Sequence, residues 1–236
     1  TRMQQQYKLE LDTSPPQIAY RETITRFAEG HCRHKKQSGG AGQFGEVMLR
    51  VEPLARGAGF EFVDVVKGGA IPGVFMQAVE KGVRQALADG VVAGYPVHDI
   101  RVTVHDGKTH AVDGKEVAFV AAARKATVAA ILEASPIVLE PIVNIEIVAP
   151  ESAIGDLTGD LSGKRGHVTG TLPRPAGTAA ITGQAPLAEL DDYLVRLKSL
   201  TAGKGAYTLD FSHYAQVPPD TQAKLAGQHK LADLDD

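Results

Sequence analysis

Arg33, Lys35 and Lys36 run directly into the glycine-rich stretch Ser38 to Gly45, "SGGAGQFG". These residue types suit contact with a polyanion. Lysines supply an attraction that salt weakens, while Gly39 and Gly40 let backbone amides approach a phosphate or base closely. In the same loop, which opens at Ser38, Gln43 can hydrogen bond a base or ribose and Phe44 offers a stacking face, a set better matched to irregular RNA than to duplex DNA. An isolated basic run is equally compatible with a solvated hairpin.

A second cationic group, Lys164, Arg165 and His167, lies in "GDLTGDLSGKRGH". The Gly-Lys pair suggests a phosphate loop, but Thr158 stands where the first glycine belongs and Arg165 replaces the magnesium-binding hydroxyl. A helix end and tight turn explain the segment better. A contact between these three side chains and an RNA backbone is the functional alternative. The eight histidines form no HExxH and have no CxxC partner, so no metal site is expected. There is no GxSxG elbow, and Cys32, in an apparent strand, reads as a small buried apolar residue. No catalytic constellation is present.

The elements that must hold these residues follow from period. Residues 18–27 and 31–37 read as two strands turning at Glu29-Gly30. A third strand starts at Gln43, where Val47, Leu49 and Val51 alternate, and "GFEFVDVV" gives a fourth in one antiparallel sheet. Phe75, Val79, Val83 and Leu87 recur at helical spacing up to Gly90. "VHDIRVTVHDG" returns to a strand with a turn at Asp106-Gly107, and "EVAFVAAARKATVAAILEA" predicts a helix buried on most sides. From 142 the order strand, helix, strand, strand, helix, strand predicts a ferredoxin-like split βαβ unit. In it Leu187, Leu190, Leu194 and Leu197 form one helical stripe, and Tyr207, Leu209 and Phe211 share one strand face. The boundary is placed at 136–141.

The bulk properties constrain less. The chain has 236 residues, 43% hydrophobic and 22% charged, enough apolar material for two compact domains. Its net charge of −3 gives no global pull on nucleic acid, so any binding rests on local cations. One cysteine makes no internal disulfide, and no apolar run spans a bilayer, so a cytoplasmic location is expected. Thr1 lacks a preceding methionine, "TRMQQQYKLELD" reads as a helix end and short strand, and an upstream piece is expected. Pro15 and Pro16 suit a linker, and "KLADLDD" a frayed acidic tail.

Taken in order, "PQIAYRETI", "QSGGAGQFGEV", "GFEFVDVVKGGAIP", "GVVAGYPVHDIRVTVHDG", "VLEPIVNIEIVAPE" and "GDLTGDLSGKRGHVTG" resemble the C-terminal part of bacterial elongation factor G, over nearly the whole chain. The resemblance implies an α+β fold in two domains. Residues 1–13 would trail from domain III. Residues 14–138 would be an elongated domain IV with a ribosomal-protein-like βαβ fold, 139–217 a ferredoxin-like βαββαβ domain V, and 218–236 a C-terminal tail. It also implies a ribosome-contacting arm of a translational GTPase, whose domain IV tip promotes movement of transfer and messenger RNA at the decoding region.

By the same resemblance, His110 and Asp113, in the loop 109–114, join Ser38 to Phe44 at that tip. Lys164, Arg165 and His167 would lie near the large-subunit GTPase centre. GTP and magnesium belong to the absent N-terminal part, and this fragment needs no cofactor. Expected partners are ribosomal RNA of both subunits, transfer RNA, messenger RNA and the GTPase domains of the same polypeptide, with no membrane and a monomeric state. Phe44 and Glu46 stand where the family usually has tyrosine and histidine. The alternatives are a divergent paralogue acting in ribosome recycling or stress, or a ribosome-protection factor conferring tetracycline resistance.

Overall fold

A computed structural model describes residues 17–38 and 41–229. The expectations for residues 1–13, for Pro15 and Pro16, for Gly39 and Gly40, and for the acidic stretch 230–236 lie outside those residues. The described residues divide into two compact units, one of residues 20–140 and 214–229, the other of 17–19 and 141–213.

In the first unit β1 (Arg21–Ile24), β2 (Ala28–Ser38), β3 (Ala41–Pro53), β4 (Phe60–Asp64), α1 (Met76–Asp89), β5 (Ile100–Lys108) and α2 (Glu116–Glu133) follow in order. The sheet runs β2-β3-β5-β4, with β2, β3 and β5 antiparallel. β4 is parallel to β5, joined to it through α1 as a βαβ crossover. The all-antiparallel expectation is thereby corrected, because the intervening helix carries the chain back to the end from which β4 began.

Alternation along β3 and β5 buries Val47, Leu49, Val51, Val102 and Val104 completely, against Val79 and Val83 of α1 and Phe119 of α2. The alanine content of α2 has a steric purpose. A Cβ on Gly30 would lie 2.1 Å from the Ala126 carbonyl oxygen, and one on Gly82 would lie 2.3 Å from that of Val120. Strand and helices therefore meet backbone to backbone. Gly30 is a packing glycine inside β2, not the expected turn, and the short β1 pairs with residues 136–139 rather than with β2.

Asp106 and Gly107 also correct the sequence reading, since both lie within β5, next to a register shift between Met48 and Leu49. The Gly107 amide donates to Asp106 Oδ1 at 2.8 Å, so local side-chain bonding serves a bulge here and not a reversal. Gly90 does end α1, with φ of 72°.

In the second unit, residues 141–150 of β6 (Pro136–Pro150) lead to α3 (Ile154–Gly163), β7 (His167–Arg174), β8 (Thr178–Pro186), α4 (Tyr193–Leu200) and β9 (Ala206–Gln216). The order β9-β6-β8-β7 is the ferredoxin-like arrangement that the sequence predicts. Two details differ. Residues 187–200 are broken at Asp191-Asp192, where Asp192 takes φ of 54°, so Tyr193 occupies the buried position and Leu194 is 51% exposed. Phe211 is exposed because the core packed against β9 stops at Leu209.

The expected tail contains a helix, α5 (Pro219–Gln228), which belongs to the first unit. Gln222 Oε1 accepts the Val138 amide at 3.0 Å, and Leu225 packs with Val217 and Val138. Proline at the first helical position favours this start.

Candidate nucleic-acid interface

The β2–β3 hairpin ends beside the loop that joins β5 to α2. Its register, Lys35 opposite Phe44, Lys36 opposite Gln43 and Ser38 opposite Ala41, carries the cationic run together with Gly42 and Gly45 to one end of the sheet. The Phe44 amide donates to the Asp113 carbonyl at 2.7 Å, and Phe44 forms an isolated parallel bridge with Gly114. Two segments more than sixty residues apart thus form one tip. Together Lys35, Lys36, Gln43, Phe44, His110 and Asp113 border a pocket of about 230 Å³.

His110 is held by its own turn. The amides of Val112 and Asp113 donate to its Nδ1 at 3.3 and 3.2 Å, and the Gly114 amide closes on its carbonyl at 2.9 Å. An imidazole accepting through Nδ1 carries its proton on Nε2, which remains available as a donor. Asp113 Oδ2 lies 3.3 Å from the same nitrogen. The Phe44 and His110 rings lie 6.2 Å apart at 57°, so both present faces near the pocket. Gly42 lines the same pocket, and a Cβ there would strike the Asp113 carboxylate at 2.4 Å.

Sequence reasoning missed the group just behind the tip. Glu46 is 1% exposed on β3, and its carboxylate accepts from His31 Nε2 at 2.8 Å and from Arg33 Nε and Nη2 at 3.0 and 3.2 Å. Burial pushes this carboxyl up, but the Arg33 and His31 hydrogen bonds, with Lys108 nearby, outweigh it and hold the group below its ordinary value. The alternation of charge in β2 was a usable signal, because His31, Arg33 and Lys35 fall on one face. Cys32 lies on the other, against the core, where burial pushes its thiol up.

Lys164, Arg165 and His167 belong to the second unit, between α3 and β7. Lys164 Nζ donates to the Glu189 carbonyl at 3.1 Å and Arg165 Nε to the Glu189 carboxylate at 2.8 Å. Both cations are thus committed to Glu189, while His167 is exposed at the start of β7. Arg165 adopts φ of 56°, which identifies the tight turn expected after the helix. Among the described residues no three His, Cys, Asp or Glu side chains gather as metal ligands, and no helix is long and apolar enough to cross a membrane.

Comparison with known proteins supplies the context for this geometry. The family model described as elongation factor G, domain IV, matches residues 16–135, and that of the elongation factor G C-terminus matches residues 137–225. An elongation factor G-like protein of Thermotoga maritima is 42% identical over 229 residues, 97% of this chain and 34% of that protein. Elongation factor G of Aquifex pyrophilus is 42% identical over 227 residues, 96% of this chain and 32% of its own length. A crystal structure of a Thermus thermophilus protein superposes with a TM-score of 0.80 at 40% identity, covering 95% of this chain and 33% of the other. The chain therefore spans about a third of the length of the relatives it matches.

Proposed function

The chain belongs to the elongation factor G family, and we propose that it forms the ribosome- and RNA-contacting arm of a translational GTPase that promotes movement of transfer and messenger RNA. The observation that carries this reading is the single tip built from Phe44 and Asp113, which sets two lysines, an amide, an aromatic ring and an imidazole around one pocket. Lys35 and Lys36 neutralise phosphates, Gln43 and His110 Nε2 offer directional hydrogen bonds, and Phe44 offers a face to an unstacked base. No bond is made or broken at this end. The work is positional: a tip held on a rigid sheet occupies the site that displaced RNA would otherwise re-enter. GTP and magnesium would act in the N-terminal part of the longer polypeptide, and Lys164, Arg165 and His167 would touch ribosomal RNA from the second unit.

The test is His110→Ala in the full-length protein. Translocation measured by rapid kinetics should slow while ribosome-stimulated GTP hydrolysis stays near wild type. Lost hydrolysis with unchanged translocation per GTP would overturn the assignment. A second reading, a divergent paralogue specialised for ribosome recycling or stress, rests on Phe44 and Glu46, which stand where the family usually has tyrosine and histidine. Subunit splitting that survives where translocation does not would select that reading.

A further inference from the structure

Resting on the reading of the tip as an RNA contact, we propose that the β2–β3 face behind it is a second, pre-organised site for an RNA backbone phosphate, gripped by Arg33 and Lys108 and positioned by Glu46. Cross-strand partners project to the same side of a sheet. Arg33 is opposite Glu46, Lys35 opposite Phe44, and Glu46 in turn opposite Lys108. These side chains therefore share one face with the aromatic ring of the tip. The other face is closed by α2, since a Cβ on Gly45 would lie 3.0 Å from the Ala118 backbone.

The chemistry of the cluster is specific. Arg33 spends its Nε proton and one Nη2 proton on Glu46, which fixes the guanidinium plane and, among the described residues, leaves both Nη1 protons uncommitted on a side chain that is 54% exposed. A fixed, half-exposed guanidinium suits a phosphate better than a freely rotating one, because less rotamer entropy is lost on binding. Glu46 presents almost no surface to a ligand, so its charge orders the cations without meeting the phosphate directly. The register also sets Asp106, opposite Met48, on this face, so Arg33, Lys35 and Lys108 stand against two carboxylates, Glu46 and Asp106, and the three cations still outnumber them without His31. The patch continues into the pocket through Lys35.

A positioning role and a purely electrostatic one predict opposite signs. Removing an anion beside an RNA contact should tighten binding if only charge matters; it should weaken binding if Glu46 orients Arg33. The experiment titrates the full-length protein and its variants against purified ribosomes over a range of KCl. Glu46→Gln should weaken binding about tenfold despite the loss of a negative charge, and Arg33→Lys should do the same with an unchanged salt slope. Thermal melting checks folding, and Arg33→Lys keeps a cation beside the buried acid should Glu46→Gln unfold the sheet. Unchanged or tighter binding by a folded Glu46→Gln, or wild-type binding by Arg33→Lys, overturns the proposal. If Lys35→Ala with Lys36→Ala still weakens binding in that case, the tip reading stands alone; if none of these variants changes binding, both fall.

Discussion

The backbone amide of Phe44 donates to the carbonyl of Asp113 at 2.7 Å, and this bond joins the glycine hairpin to the histidine loop. Gly42 leaves room for the Asp113 side chain beside this bond, since a Cβ there would lie 2.4 Å from the Asp113 carboxyl carbon. The φ of Gly42 is not among the positive values, so alanine meets a steric conflict and not backbone strain. Gly42→Ala should push the Asp113 carboxylate out of its place beside His110 and reduce ribosome affinity, while the melting temperature barely changes. Asp113→Ala clears the space, so the double variant should lose less affinity than the two single losses together. Additive losses in ribosome titrations would show that the loops act separately.

Glu22 makes the corresponding prediction for the scaffold. Its carboxylate is fully buried and accepts four backbone amides: Val91 and Val92 on Oε2 at 2.7 and 2.9 Å, Ala93 and Tyr95 on Oε1 at 2.7 and 3.1 Å. It binds the short β1 to the loop that follows α1. Glutamine preserves the shape but turns one acceptor into a donor facing donors, so two amides lose their partner. Glu22→Gln should destabilise the unit by about 3 kcal/mol in urea denaturation, a sum of two unsatisfied buried groups. A loss below about 1 kcal/mol would mean that water or a shifted loop satisfies those amides instead.

These two acids also show what a sequence hides. The helical stripe from Phe75 to Leu87 and the strand-helix order after 142 were legible because their signals repeat every few residues. Glu22 was not, because its partners lie 69 to 73 positions away and nothing local distinguishes it from a solvated carboxylate. Gly30 and Gly107 misled for a related reason. Glycine and Asp-Gly signal turns through local backbone freedom, whereas here Gly30 admits a helix backbone and Asp106-Gly107 sits beside a bulge. Of the tip, the basic hairpin was visible from its own residues, but the pairing of Phe44 with Asp113 required the family resemblance. Glu46 was noticed only as a departure from the family, and its ion pairs emerge only when β2 and β3 are placed in register.

Tyr193 gives a prediction with a definite sign in pH. It is 1% exposed in the core of the second unit, edge-on to Tyr207 at 5.3 Å, and its hydroxyl finds no hydrogen-bond partner among the described residues. Burial, with smaller contributions from Asp160 and Tyr207, pushes the phenol up to about 12 from an ordinary 10.0. Because the folded value lies above the unfolded one, the unfolded chain releases this proton first. The stability tied to the neutral phenol is therefore complete below pH about 10 and is lost as pH rises toward the folded value, at about 1.4 kcal/mol per unit. Tyr193→Phe removes both the titration and an unpaired buried hydroxyl, so at pH 7 it should match or exceed the parent by up to about 1 kcal/mol. Urea denaturation of both proteins from pH 8 to 11 should show Tyr193→Phe gaining on the parent above pH 10. A constant difference across that range would mean that the phenol ionises as readily in the folded chain as in the unfolded one.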